Sequence, residues 1–161
     1  MKLWAALYGM IWVVLIEFLL AMKPGLPTAF LYLHVLIGFV IVAIAYSNFI
    51  GLRDSRAPGR LKRTARATFA LSILMVFLGI LLFLNLGSNW SLPLPTVSVY
   101  DLILFLHIVN AVAIVTQAAA VAVAYDMWEE REFDRESEPG RIPPAPSPAV
   151  AGPPQGPRGS A

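Results

Sequence analysis

Two histidines, His34 and His107, are the chain's only ones, and both fall inside apolar stretches long enough to cross a membrane. An imidazole in hydrocarbon is costly, and such residues usually face a bundle interior and carry function. His34 lies six residues past Thr28 and His107 eight past Val99. At the helical rise those offsets are about 9 Å and about 12 Å, equal within the error of the boundaries. If both stretches run in the same direction, the two rings sit at one depth. Opposed imidazoles at one depth can serve as the two axial ligands of the iron of a b-type haem held inside a helical bundle. The plainer alternative is a pair of buried histidines bonded to backbone or polar neighbours. It explains one histidine more readily than two at matched depth. The chain has no cysteine. That excludes disulfides, c-type haem attachment and thiolate-bound iron–sulfur clusters.

Each histidine is followed four residues later by a small residue, Gly38 and Ala111. On a helix these share the histidine's face and leave room for a flat macrocycle. Glu17 lies five residues before the external end of the first apolar stretch, roughly level with both histidines. A carboxyl group there is expected to face inward, to bond an imidazole or to move protons. Lys23 is the one basic residue expected on the external side, and could pair with a haem propionate. Asp101 opens the fourth stretch, where the helix dipole favours a negative charge. Asn110 and Gln117 are seven apart and are expected to make interhelical hydrogen bonds. Tyr46, Ser47 and Asn48 read as interface residues at the cytoplasmic end of the second stretch.

The elements that position these residues follow from composition. Of 161 residues, 58% are hydrophobic and 14% charged, too apolar a balance for an ordinary soluble domain. Four stretches approach the roughly 20 residues that a spanning helix needs, namely Leu3–Met22, Thr28–Leu52, Thr68–Leu86 and Val99–Tyr125. The first is too long for a signal-peptide core and lacks a small-residue cleavage site, so it reads as a retained helix. The expected fold is all-α, an integral membrane up-and-down four-helix bundle over residues 1–130. Spans two and four are diagonal in it. A cytoplasmic tail over 131–161 follows. It begins as a helical continuation through Asp126–Glu138, then becomes rich in proline, alanine and glycine from Pro139 and is expected to be disordered.

Arg53, Arg56, Arg60, Lys62, Arg63 and Arg66 crowd the connection between spans two and three. The positive-inside rule turns that connection, and both termini, towards the cytoplasm of a plasma-membrane protein. So short a basic stretch between spans is a topology signal and implies no nucleic-acid partner. The partners expected are membrane lipid, a haem substrate or a quinol, and a respiratory oxidase. Trp4, Trp12 and Trp90 suit the membrane interface. Leu31–Val35 (LYLHV) and Leu104–Ile108 (LFLHI) form a faint internal repeat of the kind that duplicating a two-helix hairpin leaves. Gly79 and Ala118–Ala120 offer small-residue surfaces for packing between copies of the chain.

From Leu31 to about Glu130 the chain resembles one four-helix half of haem A synthase, the membrane enzyme that oxidises a methyl group of haem O to the formyl group of haem A. The resemblance rests on His34 early in span two, on SILMVFLGILLF (Ser72–Phe83), and on L-x-L-H-x-x-N-A-x-A (Leu104–Ala113) running into an acidic end at Asp126–Glu130. That family has eight helices in two such halves, each with a histidine pair. The resemblance implies a compact form that self-associates, with His34 and His107 on iron. The family's glutamate three residues before the first histidine is replaced here by Leu31. Glu17 is the carboxylate left to serve. An electron-transfer cytochrome b and a haem-free assembly or accessory subunit of a respiratory oxidase are the alternative readings.

Overall fold

Runs of leucine, isoleucine, valine and alanine free of internal proline form four helices in the computed structural model, which describes residues 3–21, 27–88 and 98–137. They are α1 (Leu3–Ala21), α2 (Thr28–Asp54), α3 (Gly59–Phe83) and α4 (Val99–Ser137). All four are long and apolar enough to cross a membrane. Pro27 and Pro58 immediately precede α2 and α3, where a fixed φ and a missing N–H cost nothing. Ser98 starts α4 by a reciprocal cap. Its hydroxyl accepts from the Asp101 N–H at 3.1 Å, and the Asp101 carboxylate accepts from the Ser98 N–H at 3.0 Å.

The third helix begins at Gly59, not near Thr68. Arg60, Lys62, Arg63 and Arg66 therefore lie on its first turns, and the connection from α2 shrinks to Ser55–Pro58. Hydropathy marks the segment able to enter hydrocarbon, whereas arginine, lysine and alanine are good helix formers that extend it. Lys62 donates from Nζ to the carbonyls of Arg53 and Ser55 at 3.0 and 2.7 Å. A cation thus closes the carbonyl end of α2. At its other end α3 stops at Phe83, short of Leu86. Asn85 takes a left-handed φ of 53°, and Leu86 and Asn85 donate back to Leu81 and Leu82. The fourth helix continues to Ser137, seven residues past the expected end of the bundle domain at 130. Residues from 138 onward lie outside the described residues, as do Lys23 and Trp90.

The helices stand in a square: α1 and α3 each pack against α2 and α4. This puts α2 and α4 on one diagonal, as an up-and-down order of four spans requires. Buried residues recur at intervals of three and four: Leu7, Met10, Val14 and Glu17 on α1; Ile41, Ala45, Asn48 and Leu52 on α2; Leu61, Ala65, Thr68 and Ser72 on α3; Ala111, Ile114, Ala118 and Val121 on α4. That spacing keeps one stripe of each helix turned inward. At the end that carries both basic helix ends, Leu52, Leu61, Ala122 and Tyr125 close the core.

A polar seam fastens α3 to α4. Asn110 donates to the Leu71 carbonyl at 2.9 Å, and the Thr68 hydroxyl donates to Gln117 Oε1 at 3.1 Å. Both α4 amides thus make the interhelical bonds expected of them. Asn48 faces the interior of the bundle. It is 4% exposed, and its Nδ2 reaches the Ala6 carbonyl at 3.4 Å and Met10 Sδ at 3.6 Å on α1. Its spacing from Ile41 and Ala45, seven and three residues, puts it on the inward stripe.

Candidate functional site

The buried core ends at the level of Glu17 on α1 and Leu78 on α3. Beyond it, none of residues 28–40 of α2 or 99–109 of α4 is buried. His34 and His107 stand at this boundary between the packed half and the open half. The helical stripe puts them there: His34 is seven residues before Ile41, and His107 seven before Ile114.

Across the diagonal the two rings face one another with centroids 6.3 Å apart and planes inclined at 56°. Glu17 reaches the pair from α1. Its Oε1 lies 2.8 Å from His34 Nδ1, and the residue is 6% exposed, against 25% for the His34 side chain. The alignment of that close contact falls short of a hydrogen bond, so His34 Nδ1 remains among the buried polar atoms without one. Glu17 Oε2 and His107 Nδ1 share that condition. Three titratable groups therefore meet in apolar surroundings with unused hydrogen-bonding capacity. Such atoms are rare in folded interiors and call for a partner or a bound group.

From α3, Gly79 completes the layer. A Cβ at this position would stand 3.3 Å from His107 Cε1, so the backbone of α3 abuts the imidazole directly. Gly79 thus faces the histidine layer. The sequence carried the signal. Leu61, Ala65, Thr68, Ser72 and Gly79 lie on one stripe, and the interior assignment follows from that register.

The two small residues after the histidines differ. Ala111 is buried, whereas the space beside Gly38 is open, with no atom within 4 Å of where a Cβ would stand. Leu31, three residues before His34, is exposed on α2, and the carboxylate beside the histidine pair comes from α1.

The residues fit an iron bound through two imidazoles. With metal–nitrogen bonds of about 2 Å and ring radii of about 1.1 Å, an imidazole–metal–imidazole axis separates the centroids by about 6 Å. The half of the bundle in which none of residues 28–40 or 99–109 is buried, with the open space beside Gly38, is where a macrocycle would lie. Among the described residues no three histidine, cysteine, aspartate or glutamate side chains converge as a metal-ion site. Glu17 accordingly reads as the partner of a ligand and not as a third ligand. Carboxylate-to-histidine contacts of this kind fix the ring's tautomer and direction. Comparison with known protein families, curated proteins and solved structures finds no match to this chain.

Proposed function

We propose that this chain is a multi-pass membrane protein that holds a b-type haem between His34 and His107. The observation that carries the reading is the pair of imidazoles opposed across the diagonal at 6.3 Å. With His34 Nδ1 turned to Glu17, the other ring nitrogen of His34 is the one left for iron. Gly38 leaves open space on the His34 face of α2, and Lys23, the one basic residue expected on the external side, is the cation proposed for a propionate. The positive-inside rule gives the orientation: basic helix ends and both termini in the cytoplasm, the haem towards the outer leaflet of the plasma membrane.

Bound haem supplies one-electron redox chemistry at its iron. What that chemistry serves is proposed from the resemblance to haem A synthase: oxidation of the haem O methyl group during biogenesis of a respiratory oxidase. In that role Glu17 takes up or returns a proton beside His34. One histidine pair ligates one haem, so a catalytic form needs a homo-oligomer or a site used in turn by cofactor and substrate. Electron transfer from a quinol is the second reading. It is favoured by the engagement of Glu17 with His34, which suits an orienting role better than a proton carrier free to meet substrate.

Protein purified in mild detergent is expected to show a Soret band and sharp α and β bands on reduction. His34→Ala and His107→Ala should each abolish them. A colourless preparation after haem supplementation, or unchanged spectra in both variants, refutes haem binding. Co-expression with haem O, followed by pigment extraction, separates the two roles. Conversion impaired by Glu17→Gln supports the enzyme, and a monomer that binds haem without altering haem O supports the cytochrome.

A further inference from the structure

A second concave site lies at the cytoplasmic end, remote from the histidine layer. The first turns of α3 and the far part of α4 border a groove of about 470 Å³ there. Its floor is made of small residues, Ala120 and Ala124, which keep the helices from filling the gap. Its rim carries Arg60, Thr64, Trp128 and Arg131. None of the lining residues is acidic, and among the described residues neither arginine forms an ion pair.

Polarity is graded along the groove. From Ala120 to Arg131 the helix rises about 16 Å. The alanines belong to the last turns of the apolar stretch and Arg131 lies beyond it, whereas Arg60 stands at the start of α3; both arginines line the groove. Trp128 sits between, an amphipathic ring at the depth where indoles settle in membranes. An apolar trough that ends in two guanidinium groups and an indole matches a phospholipid: an acyl chain on the alanine floor, a phosphate between the arginines. Guanidinium groups bind phosphate oxygens in a bidentate fork, and basic pockets between spanning helices on the cytoplasmic side recognise anionic head groups.

We propose that this groove is a specific binding site for an anionic phospholipid of the inner leaflet, with Arg60 and Arg131 as the phosphate ligands. The proposal rests on the membrane placement of the helices and is independent of haem. The charge pattern favours a lipid over a soluble anion, because free phosphate has no use for the apolar floor.

The test is native mass spectrometry of the full chain in mild detergent, with equimolar phosphatidylglycerol and phosphatidylcholine of identical acyl chains. Two basic side chains at the surface correspond to about a thirtyfold preference for the anionic lipid. Arg60→Gln with Arg131→Gln should bring the preference close to one. Arg56→Gln with Arg63→Gln, the same change of charge away from the groove, should keep it. Ala124→Leu should lower retention of both lipids by filling the floor. No preference in the parent protein overturns the proposal, and so does an equal loss in both double variants, which would mean a diffuse basic belt. Displacement of the lipid by millimolar inorganic phosphate also overturns it. A chain released from membranes by alkaline carbonate without detergent would refute the membrane reading itself, a result distinct from all of these.

Discussion

Glu17 is the residue on which a positioning role and a merely structural one can be told apart. Its Oε1 is 2.8 Å from His34 Nδ1, and its Oε2 has no hydrogen-bond partner. Glu17→Leu removes the only carboxylate at the pair among the described residues and leaves His34 free to turn. Loss of such a partner typically lowers metal affinity by about 10- to 100-fold, or about 1.4 to 2.8 kcal/mol. The folding cost is smaller, because polar interactions between spanning helices average about 0.6 kcal/mol and reach about 1.7 kcal/mol. Glu17→Gln keeps the shape and one acceptor oxygen, so its haem affinity should stay within about threefold of the parent on the same scale. The assay is haem titration of the apoprotein by Soret absorbance, beside thermal unfolding in the same detergent. The expected pattern is a large loss of affinity and a small loss of stability for leucine, and neither for glutamine. Equal affinity in the leucine variant would refute the assignment of Glu17 to the ligand. A leucine variant that loses stability and affinity in proportion would reduce Glu17 to a packing residue.

Three further outcomes are expected. Gly79→Val puts methyl groups where His107 stands, since a Cβ alone would already be 3.3 Å from Cε1. Overpacking of about 1–3 kcal/mol and a broadened or high-spin haem spectrum should follow, whereas Gly79→Ala should need only a few tenths of an ångström of relaxation. Asn110→Leu removes the bond to the Leu71 carbonyl. It should cost about 1 kcal/mol of stability by thermal unfolding in detergent, with the haem spectrum retained. Eleven of the twelve basic residues fall on one side in the assigned topology, so a reporter fused after Glu138 should behave as cytoplasmic and one inserted at Ser91 as external.

Much of the fold is legible in the sequence because hydrocarbon-length apolar runs have few alternatives. Four helices emerge where four stretches predict them, and Glu17, His34 and His107 meet at one level, as their distances from the helix ends imply. What the stretches do not define is where helices end. Arg60–Arg66 are too polar to enter hydrocarbon but are good helix formers, so α3 outruns its span by more than two turns. Asn48 and Gly79 show what residue type and depth leave out. An amide near the end of a span and a glycine within one say nothing of direction, whereas the stripe that they share with their helix neighbours turns both inward. The contact between Gly79 and His107 depends on how closely α3 approaches α4, and no local pattern contains that distance. The groove beside Ala120 and Ala124 is of the same kind. It depends on how two helices lie side by side where the side chains between them are small.

The two halves of the bundle differ, and the difference bears on function. In the half towards the basic helix ends, the inward stripes of all four helices are buried. There α3 and α4 are joined through Thr68, Gln117 and Asn110, Asn48 binds α1 to α2, and Lys62 ties α3 to the end of α2. In the opposite half, none of residues 28–40 or 99–109 is buried, and Ile37 packs against the core from its edge. The histidines stand at the junction. A ligand pair on a rigid base would gain fixed geometry, and the less buried helix ends above it would give a large flat group a way between the diagonal helices. A pair set nearer the basic helix ends would have to disrupt the polar seam to admit one, and a pair nearer the opposite ends would lose the support of Glu17 and Gly79. Placement at the boundary would thus meet the two demands of the proposed haem site, access for the macrocycle and restraint for its ligands.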